Sequence, residues 1–223
     1  MNGLTEDISS NMLGKRLTAL SLVLAGVCFF LYQVIRPYSD ESSLEGARAY
    51  ASNEWVVSHS LAMVGFILLI IGLHGVHGLL LKTQVENAGL KALLWTWIGV
   101  GFTLPYYGAE TFGLHELGKE ALKQNNVDLL VTLTNAIRFR EGAIFFGIGL
   151  VAIAVGTILF AIAVWHSRTV NKWGAIVLMV AFVLYLPQFY TSHLVRSGHG
   201  LLVLVGCWIL AWSILQQKTL QNI

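Results

Sequence analysis

Charge is what this sequence has least of. Its 14 Lys and Arg and 12 Asp and Glu make up only 12% of 223 residues, against roughly 25% in soluble domains. So few polar groups cannot cover a water-facing surface. The net charge is +2 with no basic run, which excludes the electrostatic footprint of nucleic-acid binding. Two cysteines, Cys28 and Cys207, cannot build a disulfide framework; both lie in apolar runs and read as buried thiols. Only three prolines occur, and no low-complexity tract does, so intrinsic disorder is excluded as well. What is abundant is apolar: 56% of residues are hydrophobic and the mean hydropathy is +0.68. The chain reads as an integral membrane protein.

Six windows contain no Asp, Glu, Lys or Arg: 17–35, 55–81, 92–109, 142–167, 173–195 and 197–217. Each is long enough to cross about 30 Å of hydrocarbon as a helix, which takes about 20 residues. The expectation is one all-α polytopic domain over residues 1–223 with six transmembrane helices. Lys15 and Arg16 precede the first window as in a secretory signal, but no small-x-small cleavage site follows and Arg36-Pro37 closes it, so it reads as a retained anchor.

Lysine and arginine divide evenly between the two sides, seven each; Lys15, Arg16, Lys82, Lys91, Arg168, Lys172 and Lys218 share the side of the N-terminus. The positive-inside rule weighs short loops near span ends. Lys82–Lys91 and Arg168–Lys172 are short and basic at their edges, which favours an N-in, C-in topology. Residues 36–54 and 110–141 are then outer loops with short interfacial helices. Ser42-x-x-Glu45 resembles a capping box ahead of residues 46–50. Val127, Leu130, Val131, Leu133, Ile137 and Phe139 interleave with polar residues, as in an amphipathic helix or a packed loop cap. Gly72, Gly75, Gly78 and Ala152-x-x-x-Gly156 suit close helix packing. Pro105 and Pro187 should kink their spans.

The polar residues near span ends carry the functional expectation. His59, His115, His193 and His199 fall near the outer ends of spans, as do Glu110, Arg138, Arg140, Glu141 and Arg196; His74, His77 and His166 fall near the inner ends. Ionisable groups in a span cost on the order of 2.5–3.5 kcal/mol each and normally face a bundle interior or a water cavity. One outward chamber is therefore expected, with Glu110 as its catalytic carboxylate. Tyr106 and Tyr107 lie four and three residues before Glu110 and can reach it. His59, Glu110, His115, His193 and His199 are the candidate metal ligands, although no single-helix zinc motif exists and the site must form between helices. His59 and His77 are eighteen residues apart, five turns and about 27 Å along one face. That spacing suits two haems held between imidazoles, His59 with His199 or His115 and His74 or His77 with His166. Arg138, Arg140 or Arg196 would suit propionates.

In size and six-span layout the chain resembles the cytochrome b561 group, without a residue-by-residue match to its motifs and without an inner His on the third span. The stretch FGIGLVAIAVGTILFAIAVWHSRTVNKWGAIVLMVAFVLYLP, the later HGLLVLVGCWILAW and the Trp55-x-x-x-His59 opening of the second span look like small uncharacterised bacterial six-helix membrane proteins. That resemblance implies a bacterial plasma membrane and no assigned activity.

Three readings remain open. The first is a haem b- or zinc-binding membrane protein, with redox activity as one outcome, motivated by His59, Glu110, His115 and His199 at one level near the outer face. The second is a membrane-embedded lipid hydrolase or transferase with metal- or Glu110-activated water and Arg-bound lipid phosphate. The third is a non-enzymatic transporter, immunity factor or subunit, with a membrane-protein partner or a second copy of itself. The lipid bilayer is a partner in all three, and nucleic acid in none.

Overall fold

A computed structural model describes the backbone of residues 2–217 and the side chains of residues 12–217; Lys218, counted above on the N-terminal side, lies outside them. Nine α-helices run in chain order among the described residues, with no strand: α1 (Asn2–Ile35), α2 (Leu44–Tyr50), α3 (Asn53–Leu80), α4 (Glu86–Gly108), α5 (Leu114–Gln124), α6 (Val127–Phe139), α7 (Glu141–Ser167), α8 (Lys172–Val183) and α9 (His193–Gln216). A π-helical turn (Ala109–Gly113) joins α4 to α5, and a 3-10 turn (Pro187–Tyr190) lies between α8 and α9.

Four helices are long and apolar enough to cross a membrane: Met12–Ile35 of α1, then α3, α7 and α9. The sequence reading expected six. The third window falls on α4, where Trp95, Thr96, Trp97, Thr103, Tyr106 and Tyr107 dilute the apolar residues. The fifth falls on α8, which stops at Val183 after 12 residues, about 18 Å of rise. Pro187 does not kink this helix; it opens the 3-10 turn beyond it. Pro105 stays inside α4, and the distortion comes four residues later as the π turn.

The long helices form a ring. Each packs on the next in chain order, α1 on α3, α3 on α4, α4 on α7, α7 on α8 and α8 on α9, and α9 closes on α1. Phe29, Phe66, Tyr107, Phe146, Phe182 and Tyr185 meet inside it, with Phe29 and Phe66 edge to face at 4.8 Å. Leu20, Ile71, Val151, Ile162 and Trp208 point outward and are exposed, as a lipid-facing surface requires. Cys28 and Cys207 are free and buried.

One end of the ring is capped by α2, α5 and α6. Ser43, rather than the expected Ser42, caps α2 by accepting from the Glu45 amide; Ser42 instead hydrogen-bonds Asp40. Asn126 caps α6 at the Leu129 amide, so the amphipathic stretch starts where its polar cap stands. Tyr50, Trp55, Leu114, Leu117, Ala121 and Leu130 form a second, smaller core that fixes the cap to α3.

The α4–α7 contact depends on absent side chains. Gly149 and Gly156 of α7 lie against Thr103 and Thr96 of α4, and a Cβ on Gly99 would stand 2.6 Å from the Gly149 carbonyl oxygen. Overpacking such a seam costs about 1–3 kcal/mol. Gly99→Leu should therefore lower stability in detergent by that order in a denaturant titration. Gly101→Leu, where a Cβ meets open space, should leave it unchanged.

Candidate functional site

The site begins with the start of α3. Ser52 caps the helix at the Trp55 amide, which orients Trp55 and, one turn on, His59. Both are buried, His59 with 2% of its surface exposed. The His59 Nδ1–H donates to the Trp55 carbonyl at 2.8 Å. A carbonyl accepts only, so this bond fixes the tautomer and leaves the Nε2 lone pair free. Nε2 lies 3.9 Å from Oε2 of Glu110, beyond hydrogen-bond reach.

Glu110 sits in the π turn. There the Leu114 amide reaches back five residues to Ala109, so it does not bond the Glu110 carbonyl. That carbonyl accepts the Trp55 indole N–H at 2.7 Å instead. π turns occur often at functional sites because they re-aim one side chain within a helix. Here the turn locks Glu110 to α3 while its carboxylate points inward, 6% exposed.

Four charges of alternating sign cross the capped end. Arg138 of α6 grips Glu110 through both carboxylate oxygens, Nε to Oε1 at 2.5 Å and Nη2 to Oε2 at 2.9 Å. Its Nη1 also donates to Glu41, and Arg36 at the end of α1 donates to the other Glu41 oxygen at 2.8 Å. Burial disfavours the Arg138 charge, but Glu110 and Glu41 together outweigh it and hold the guanidinium pKa above its ordinary value. Burial likewise pushes Glu41 up, while Arg138 and Arg36 prevail and leave its pKa below the ordinary 4.5. Trp55 stacks between these groups, with the Arg36 guanidinium 5.1 Å and that of Arg138 6.0 Å from its ring.

Beside the ladder lies a cavity of about 620 Å³. His59, Glu110, Arg36, Arg138 and Arg196 line it with Tyr32, Tyr38, Tyr106, Phe146 and Phe189. Arg196 is only 8% exposed. Its Nε donates to Gln188 at 3.2 Å, and its guanidinium lies over the Phe189 and Tyr38 rings at 5.0 and 5.4 Å. Among the described residues no carboxylate pairs with it. The lining thus carries three guanidinium groups and three carboxylates; Asp40 is exposed, and Glu41 and Glu110 are held by Arg36 and Arg138, which leaves Arg196 as the guanidinium with no carboxylate on it among the described residues.

Of the expected ligands, the structure brings His59, Glu110, Arg138 and Arg196 together and leaves the others apart. His115 turns away, its Nδ1–H donating to the Tyr50 carbonyl at 2.8 Å to tie α5 to the end of α2. His199 is buried, but its Nε2–H donates to the Ala181 carbonyl at 2.7 Å. That carbonyl is free because the Tyr185 amide bonds Phe182 instead where α8 ends. His193 is exposed beside Tyr38. At the far end His74 rests near Trp97 and His166 bonds back to its own helix at Ile162. Among the described residues no group of three His, Cys, Asp or Glu side chains is disposed to hold a metal ion. A haem or zinc ion would find one free imidazole and a carboxylate already gripped by arginine. Tyr107 bonds Tyr185 at 2.7 Å rather than Glu110.

Sequence reasoning missed Glu41 and, as a site residue, Arg36. Neither lies in a span, and no spacing links residue 41 to residue 138. Arg36 had one available signal, a charge directly at the end of an apolar span; Glu41 stands among Ser39, Asp40, Ser42 and Ser43 and had none.

Removing one member of a buried ion pair costs about 3–5 kcal/mol, because the other stays buried and unpaired. Arg138→Met should destabilise the protein by that order, and adding Glu110→Gln should recover part of the loss; a double-mutant cycle in detergent measures both. Because the folded Glu41 pKa is depressed, its contribution is complete above about pH 4.5 and disappears as pH falls through the folded value. Glu41→Gln should flatten the acid limb of a stability-against-pH curve.

Compared with known protein families, curated proteins and solved structures, the chain matches none.

Proposed function

We propose that the chain is a six-pass protein of the plasma membrane, with both ends of the bundle's chain on the cytoplasmic side, that binds an anion in the cavity beneath its outer surface. The alternation of α4 and α8 with the four long apolar helices around one ring supports six passes. The short, basic-edged loops 82–91 and 168–172 support the orientation.

Arg196 carries the anion reading: a buried guanidinium on the cavity wall, without a carboxylate partner among the described residues. A buried charge costs several kcal/mol unless it is paired, and an oxyanion from outside would pair it through two N–H groups at once. Glu110 is a poor base in this reading, since Arg138 occupies both its oxygens. His59 is the better one, with a fixed tautomer and a free Nε2. It would take the proton of a water whose oxygen attacks a bound ester, and return it to the departing alcohol. This is the lipid hydrolase reading with its base reassigned.

Ligand binding raises folded-state stability by about 2.7 kcal/mol at a hundredfold excess over Kd. Inorganic phosphate or acetate should raise the melting temperature of the purified protein in a saturable way. Arg196→Gln should abolish the shift, while His59→Gln should keep it and remove any ester turnover. Neither anion shifting the wild type would overturn the reading; a Soret band or stoichiometric zinc would restore the haem or metal alternative.

A further inference from the structure

The exposed residues of the cavity lining are of two kinds. Ser39 and Asp40, in the loop after α1, are polar; Phe139, Leu186 and Tyr190 are large and apolar or aromatic. Leu186 and Tyr190 follow α8. That helix ends at Val183, and the chain continues through a turn and the 3-10 segment Pro187–Tyr190 next to a full-length α7. Irregular backbone at membrane depth is tolerated where it lines a cavity or is buried in protein, and Leu186, Phe189 and Tyr190 line this one. From α7, Ala143 and Gly147 also line the cavity, and a Cβ on Gly147 would meet nothing within 4 Å. The lining contributed by α7 and by the backbone after α8 is thus apolar, with open space at Gly147.

The charged and the apolar parts of the lining differ in burial. Arg36, Arg196 and Glu110 are buried and the Arg138 side chain is 14% exposed, whereas Phe139, Leu186 and Tyr190 are exposed. A free inorganic anion would use only the charged groups. We propose that the occupant is a single-chain amphiphile with a phosphate or carboxylate headgroup, its head on Arg196 and its tail leaving between α7 and the segment after α8 into the bilayer. This rests on the anion-binding reading and adds the tail and its route.

The test uses the full-length protein in phosphatidylcholine nanodiscs and three probes: 1-oleoyl-glycerol-3-phosphate, glycerol 3-phosphate and uncharged 1-oleoylglycerol. The charged lipid should bind at least tenfold more tightly than either other probe. Gly147→Phe should weaken the charged lipid about tenfold and leave glycerol 3-phosphate unchanged, whereas Arg196→Gln should weaken both. A photoreactive group on the oleoyl chain supplies a readout on the unmutated protein, and should label residues 143–147 and 186–190. Equal affinity for the charged lipid and glycerol 3-phosphate, or labelling confined to the outward faces of α3 and α9, would overturn the proposal and leave the anion reading standing. No binding of either phosphate probe would overturn both.

Discussion

The capped end of this bundle depends on one guanidinium. Arg138 lies between two carboxylates that sequence separates widely, Glu110 in the π turn and Glu41 in the loop after α1. Without it a buried and a half-buried carboxylate would lie close together with only Arg36 to balance them. Buried ion pairs add little net stability beside an apolar replacement, yet they are costly to break. Their effect is therefore to specify geometry: α6, the π turn and the α1–α2 loop must meet in one register. The cavity is what that register leaves open between the cap and the ring.

The π turn has the same logic on the backbone side. An unbroken α-helix through residues 105–115 would direct the Leu114 amide to the Glu110 carbonyl and leave the Trp55 indole without its acceptor. One misfit turn satisfies a buried donor and aims a buried acid. Ser52, Trp55 and His59 on α3 complete the arrangement, since the same carbonyl that ends Trp55's residue holds the His59 ring.

Much of the architecture was legible because it rests on local composition. Charge-free windows marked every long helix, and the interleaved apolar residues from Val127 to Phe139 offered an amphipathic helix as one of two readings of what is α6. The windows do not report where a helix stops: α8 is as apolar as its neighbours, but nothing in its composition shows that the chain tightens at Leu184. The site was legible only as a set of candidates. His59, Glu110, Arg138 and Arg196 share the cavity, whereas His115 and His199 look equivalent in sequence and are spent on the carbonyls of Tyr50 and Ala181. Whether an imidazole faces a pocket or a helix end is decided by tertiary contacts that no spacing encodes.

Ring closure also sets an order on biogenesis. The α1–α3 pair can dock as soon as both have left the insertion machinery, and α4 with α7 can follow. The opposite face of α1, where Gly26 lies close to Leu204, is covered by α9, which follows every other described helix in the chain. A chain stalled before residue 193 therefore carries an open seam running the length of the half-built bundle. Membrane quality-control proteases and chaperones would meet that seam as the signature of an unfinished molecule.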